Sequence, residues 1–117
     1  GSEIRIFKSG ELLLEELEKK RKPYDVIFVN MDSKKTDGLN TIRKIREREM
    51  SVAVIFMSRS DEYYRDAFDM FAYNYLLKPV TLEALEYVME PFKKRLNADT
   101  DEEEKVREAF ADFVKEN

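Results

Sequence analysis

Cysteine and histidine are both absent from this chain of 117 residues, and glycine and proline number three each. Without cysteine there is no disulfide scaffold, thiol nucleophile or thiolate metal site. Without histidine the usual zinc sites, imidazole-ligated haem and His-based triads are excluded as well. Only Gly10 and Gly38 lie outside the leading Gly1-Ser2 pair, too sparse for a glycine-rich phosphate loop. No apolar run approaches the roughly eighteen residues that a membrane span needs, and no charged-then-apolar leader opens the chain, so the expected location is the cytoplasm. The Gly1-Ser2 start without Met reads as a cleavage scar, which suggests that the chain begins inside a longer natural sequence. A net charge of −4 speaks against nucleic acid as a direct partner.

With 43 % apolar and 39 % charged residues, the composition fits one compact domain. Ile4 and Ile6 flank Arg5 in a short alternating run, read as a half-buried or edge strand that stops at Ser9-Gly10. From Glu11 to Lys22 the stripe Leu13, Leu14 and Leu17 predicts a helix with acids first and bases last, ended by Pro23. The uninterrupted run of Val26, Ile27, Phe28 and Val29 predicts a strand buried on both faces, within Tyr24–Met31. Asp37-Gly38 marks a turn or cap before a helix with Leu39, Ile42 and Ile45 inward. Val52–Met57 is a second buried strand, and Ser58–Asp61 offers caps for a helix with Tyr64, Ala67, Phe68 and Phe71 inward. Tyr73–Leu77 is a third buried strand, closed by Lys78-Pro79. Thr81 caps a helix with Leu82, Leu85, Val88, Met89 and Phe92 inward, which Pro91 kinks or ends. Thr100 and Glu103 have capping-box spacing ahead of a last amphipathic helix carrying Val106, Ala109, Phe110, Phe113 and Val114. Strands alternating with helices specify an α/β domain with a parallel sheet.

In open parallel sheets the chemistry lies beyond the carboxyl ends of the strands, which here carry Asn30, Asp32, Ser58 and Lys78. The strings YDVIFVNMD with TDGL, VIFMSRSDEYYRDAF and YNYLLKPV resemble the response-regulator receiver family of two-component signalling. They are most similar to receivers that precede LytTR-type DNA-binding domains. The similarity runs from about Ile4 to about Leu96. It implies a flavodoxin-like fold, a parallel sheet with helices on both faces. It also implies roles position by position. Asn30 stands where the family has a phosphoacceptor Asp, whose carboxylate attacks a phosphoryl group positioned by Mg²⁺. An amide is no such nucleophile and brings no charge to a metal, so phosphate acceptance and Mg²⁺ binding are expected to be lost and no cofactor is expected. Asp32 is an alternative acid in the same pocket. By the resemblance, Ser58 matches the switch hydroxyl, Tyr75 the switch aromatic, Lys78 the lysine that pairs with the phosphoryl group, and Pro79 a proline preceded by a cis bond. Each has a plainer reading beside this one: Ser58 as a helix cap, Lys78 as a solvated charge, Tyr75 as core.

Receivers begin with a further strand, ending in a pair of Mg²⁺-binding acids, and a further helix before the segment corresponding to Ile4 onward. This sequence is read as carrying neither. The family order 2-1-3-4-5 would put the missing strand between the Ile4–Ile6 and Val26–Val29 strands. The remaining four are expected to close up in sequential order, with 1–97 forming the domain and the helix within 98–117 packing on it to cover the bared face. The rival is association of two chains by swapping an element or pairing a sheet edge.

Other constellations read more plainly. Asp61 with Glu62, and Glu102 to Glu104, complement helix dipoles rather than converge on a metal. Lys34, Lys35, Arg43, Lys44, Arg46 and Arg48 are interspersed with Glu47 and Glu49 and read as a solvated helix face. Tyr63, Tyr73 and Tyr87 fall outside the inward pattern and are candidate interface anchors, on what the resemblance makes an output and dimerisation face. The expectation is therefore a degenerate receiver: no enzyme, but a protein-interaction module that works without Asp phosphorylation, with Asn30, Ser58 and Lys78 holding one switch state. Two alternatives stay open, a phosphoaccepting receiver completed by a missing N-terminal strand and using Asp32, and a rearranged or designed α/β scaffold with no signalling role.

Overall fold

β-branched and aromatic residues set the strands, and three-to-four-residue apolar spacing sets the helices between them. The computed structural model describes residue 14 and residues 25–32, 35–48, 52–92 and 108–115, apart from the side chains of 35–37. The described residues fall into two compact units, one ending at Leu77 and the other beginning at Lys78. The strand expected at Ile4–Ile6 lies outside the described residues. So do the helix expected over Glu11–Lys22, except Leu14, and the capping box at Thr100.

The first unit alternates strand and helix: β1 (Val26–Asn30), α1 (Lys35–Arg48), β2 (Ala53–Ser58), α2 (Tyr64–Asp69) and β3 (Asn74–Leu77). The three strands are parallel in the order β1-β2-β3, with Val26 opposite Ala53, Asn30 opposite Met57, and Ser58 opposite Leu77. Sequential order is what was expected of the last three strands. One sheet face carries Ile27, Val29, Val54 and Phe56, packed with Ile42 and Ile45 of α1 and with Tyr63 and Ala67. β2 is buried on both faces, since Ile55 and Met57, which point the other way, are as enclosed as Val54 and Phe56. Glycine matters at one place. A Cβ on Gly38 would come within 2.8 Å of the Met31 sulfur, so the bare backbone lets the first turns of α1 sit directly on Met31.

β3 is not the buried strand expected over Tyr73–Leu77, since only Leu76 is buried while Tyr73 and Leu77 are exposed, and three further expectations about this unit need correction. Helix α1 starts at Lys35, so Asp37 and Gly38 lie inside it rather than ahead of it. The inward stripe at α2 is shifted by one residue: Tyr63 and Ala67 are buried, while Tyr64, Phe68 and Phe71 are exposed. The cause is the short helix. Its first bond joins the Ala67 N–H to the Tyr63 carbonyl, and it is already over at Asp69. Phe71 then takes a left-handed φ of 58° in a Schellman closure, in which the Ala72 N–H reaches the Ala67 carbonyl and the Phe71 N–H the Phe68 carbonyl. Third, Arg46 is not on a solvated face. Its guanidinium donates to the carbonyls of Val52, Met70 and Phe71 at 2.8, 3.0 and 2.9 Å, tying α1 to the start of β2 and the end of α2. Partial burial lowers its pKa.

The second unit opens with a cis Lys78-Pro79 bond, the isomer implied by the resemblance. Thr81 then caps α3 (Leu82–Met89) by accepting the Ala84 N–H at 3.1 Å. Leu85, Val88 and Met89 are buried as the spacing predicts, whereas Leu82 is exposed. A 3-10 turn over Glu90–Phe92 follows, with Pro91 at its centre. A helix over 108–115, α4, buries Phe110 and half-buries Phe113 and Val114. Among the described residues no helix is long and apolar enough to cross a membrane.

Candidate functional site

The carboxyl ends of β1 and β2 bring Asn30, Asp32 and Ser58 to one crest of the first unit. Register explains which of them meet. Asn30 stands opposite Met57, and the ladder runs one step further through a 2.8 Å bond from the Met31 N–H to the Met57 carbonyl. Continued by two residues, the same register puts Asp32 level with Arg59. The Asp32 carboxylate accordingly accepts the Ser58 hydroxyl at 2.9 Å and the Arg59 N–H at 3.1 Å, both on Oδ1. Its other oxygen lies 3.9 Å from Arg59 Nε, a weak contact because the arginine side chain is 84 % exposed. Asn30 takes part differently: its Oδ1 accepts the Asp32 N–H at 3.0 Å, an Asx turn that shapes the loop.

Ser58 is 1 % exposed and does not cap α2, correcting its plainer reading. Besides donating to Asp32, its oxygen accepts the Ser60 N–H at 3.2 Å. Ser60 in turn donates its hydroxyl to Glu62 at 3.0 Å. The Ser60 carbonyl accepts the Tyr75 hydroxyl at 2.7 Å. Tyr75 stands opposite Phe56 across the β2–β3 pair and stacks on it at 5.8 Å and 24°, while Tyr64 meets it edge-on at 4.5 Å. Burial pushes the Tyr75 phenol up from its ordinary value, against the pull of the Ser58 hydroxyl. Tyr75 is thus both packed and hydrogen-bonded to the turn that Ser58 organises.

Beyond Tyr75 lies an open groove of about 360 Å³ lined by Tyr64, Ala67, Phe68, Ala72, Asn74 and Tyr75. Of the three candidate interface tyrosines, Tyr73 and Tyr87 are exposed, but Tyr63 is core. The Glu62 carboxylate beside its hydroxyl raises the Tyr63 pKa. Tyr63 is therefore no surface anchor, and Phe68 and Phe71 are the aromatics that replace it at the surface. Lys78, half-buried, opens the second unit.

Arg59, Ser60 and Arg46 were not singled out as site or scaffold residues. Register would have found Arg59, since it is level with Asp32. Nothing local marks Arg46, whose partners lie up to 25 positions away. Among the described residues no three acids converge as a metal site. At the crest one carboxylate, engaged by Ser58 and Arg59, stands beside one amide, whereas a hard cation takes several convergent oxygens.

The response regulator receiver domain family matches residues 1–90 of the chain. The sensory transduction protein LytR of Staphylococcus haemolyticus is 27 % identical over 97 residues, which cover 82 % of this chain and 38 % of that protein. The positive alginate biosynthesis regulatory protein of Pseudomonas aeruginosa is 38 % identical over 61 residues, covering 52 % of this chain and 25 % of that one. A solved response regulator receiver domain protein from Clostridium thermocellum superposes with a TM-score of 0.64 at 25 % identity, over 76 % of this chain and 72 % of the other. The chain spans well under half the length of the two curated relatives.

Proposed function

The chain belongs to the response regulator receiver family, a module of two-component signalling, and from that premise we propose that it is a degenerate receiver: a protein-interaction module that signals without phosphorylation of an aspartate. The observation that carries this reading is Asn30. It supplies an amide, not a carboxylate, at the end of β1, and its Oδ1 accepts the Asp32 N–H. The nearby acid, Asp32, has one oxygen shared by the Ser58 hydroxyl and the Arg59 N–H, so its charge is already met by the protein's own donors. On this reading Mg²⁺ is not held, the domain turns over no substrate, and its place is the cytoplasm. The partners are proteins, met through the exposed aromatics Tyr64 and Phe68 of the groove and the exposed Phe71 and Tyr73, self-association included. The net charge of −4 weighs against nucleic acid as a direct partner of this domain.

Intact mass after incubation with Mg²⁺ and a small phosphoryl donor, on the wild-type chain and on Asn30→Asp, tests the proposal. The expected result is no adduct on the wild type. An adduct on Asn30→Asp alone supports the reading and identifies the amide as the cause. An adduct on the wild type overturns it and directs attention to Asp32.

A further inference from the structure

β3 is the last strand of the described sheet, whose order is β1-β2-β3, and one side chain closes its outer edge. In a parallel pair, one residue of each matched couple makes both main-chain bonds, and the residue opposite turns its N–H and carbonyl away. Tyr75 is matched with Phe56, and its N–H is taken at 2.7 Å by Asn74 Oδ1 rather than by β2. Tyr75 therefore presents its main-chain donor and acceptor to the outer edge, and its own neighbour's amide occupies the donor. An edge donor left open is a template for another strand, so the position of this amide has consequences for association. The flanks of the edge are apolar: Tyr73 is 46 % exposed and Leu77 48 %.

We propose that Asn74 is a guard on this edge, keeping β3 from pairing antiparallel with β3 of a second copy of the chain. The occupant follows from self-complementarity. A two-fold axis at Tyr75 sets Tyr75 opposite its own image, and a residue that turns both N–H and carbonyl outward exchanges two bonds with that image, as the hydrogen-bonded couple of an antiparallel ladder does. The same axis brings Leu77 of each copy level with Tyr73 of the other, so that two exposed apolar side chains cover each other on either side of it. The open groove lined by Tyr64, Phe68, Asn74 and Tyr75 borders this edge and leaves room for them. Against this pairing stands Asn74, because both copies must give up the bond from the Tyr75 N–H to Oδ1. Each bond surrendered weakens association about fivefold, and the two together about thirtyfold. The guard goes beyond the function proposed above and does not rest on it, since main-chain pairing through β3 is independent of whether the crest takes a phosphoryl group.

The experiment compares the full wild-type chain with Asn74→Val, Asn74→Ala and Asn74→Asp, by sedimentation velocity over a concentration series and by hydrogen exchange at the Tyr75 amide. Valine and alanine have no acceptor to offer, whereas aspartate keeps one. The expected result is that folded Asn74→Val and Asn74→Ala self-associate about thirtyfold more tightly than wild type, that Asn74→Asp does not, and that the Tyr75 N–H of the two apolar variants exchanges slowly at high concentration and fast on dilution. Adding Leu77→Lys to Asn74→Val should return association to the wild-type level, because a charge then stands against Tyr73. Association of the apolar variants no tighter than wild type overturns the proposal, as does equal association by Asn74→Asp, or a dimer whose Tyr75 N–H exchanges as fast as the monomer's. Where only one of the two apolar variants folds, that one decides. If neither folds, Asn74 supports the strand instead of guarding its edge, and the proposal fails. A phosphoryl adduct on the wild-type chain would overturn the function proposed above and leave the guard standing, whereas unchanged association of folded Asn74→Val does the reverse.

Discussion

Replacing Arg46 by methionine is the substitution for which the structure gives the most definite magnitude. The new side chain keeps an apolar stem of similar length, so packing along α1 is preserved, but a guanidinium that spans three carbonyls disappears. Hydrogen bonds from a charged donor contribute about 1.5–3 kcal/mol each, so three set a ceiling of roughly 5–9 kcal/mol. The bond to Phe71 is solvent-exposed and the other two only half-buried, so water recovers a good part, leaving about 2–4 kcal/mol. That is a large share of the roughly 5–15 kcal/mol that a domain possesses. With a urea dependence of about 2 kcal/mol per molar, the unfolding midpoint should fall by roughly 1–2 M at unchanged slope. Arg46→Lys should recover less than half of the loss, because one ammonium cannot reach three carbonyls set around a planar fork. A midpoint for Arg46→Met within about 0.3 M of wild type would refute the idea that this arginine fastens α2 and β2 to α1.

Phe71 occupies the left-handed position that glycine normally takes after a helix and is 74 % exposed, so Phe71→Gly should raise stability by about 0.5–1 kcal/mol; a lower melting temperature would contradict this. Tyr75→Phe should cost about 1 kcal/mol at neutral pH through the lost bond to the Ser60 carbonyl. Because burial raises the Tyr75 phenol above 10.0, the folded state binds that proton more tightly than the unfolded one, and stability falls as pH rises from about 10 toward the folded value. The Phe variant lacks this contribution, so its urea midpoint should decline less steeply between about pH 9 and 11, and an equal decline would count against the buried phenol. Phe68 is 83 % exposed, and Phe68→Ser should leave stability within about 0.5 kcal/mol; a greater loss on thermal melting would mean that the ring is packed after all.

Continuous apolar runs located every described strand to within a residue or two, because a run such as Ala53–Met57 has few other ways to be buried. Thr81 was recognisable as a cap since its oxygen needs only the N–H three residues on. Tyr63, Phe68 and Phe71 were misassigned for a definite reason: a stripe at i, i+3, i+4 and i+7 presumes two full turns of helix, and α2 has six residues. Once Phe71 turns left-handed, helical phase no longer describes where its ring goes. Arg46 was missed because two of the three carbonyls that make it a fastener, those of Met70 and Phe71, come from 24 and 25 positions away, beyond any local window. The site was legible as a set of types, an amide, an acid, a hydroxyl and an aromatic, but not as a set of pairs, since pairing follows from strand register.

That register also bears on what the amide at position 30 accomplishes. The Asx turn around Asn30 requires only an oxygen to receive the Asp32 N–H, and an aspartate would supply one equally well. Loop geometry therefore does not select asparagine over aspartate, and what separates the two is charge. Asp32 already contributes one carboxylate to the crest, level with Arg59, where a buried hydroxyl and a main-chain N–H are aimed at it. A second carboxylate two residues earlier would raise the proton affinity of one or both acids through like-charge repulsion. With an amide at position 30, the single negative charge belongs to Asp32, and the Ser58 proton is committed to it. The crest thus holds two donors, the Ser58 hydroxyl and the Arg59 N–H, and a carboxylate of its own that receives both, and it is this pairing, rather than the shape of the loop, that a change of charge at position 30 would disturb.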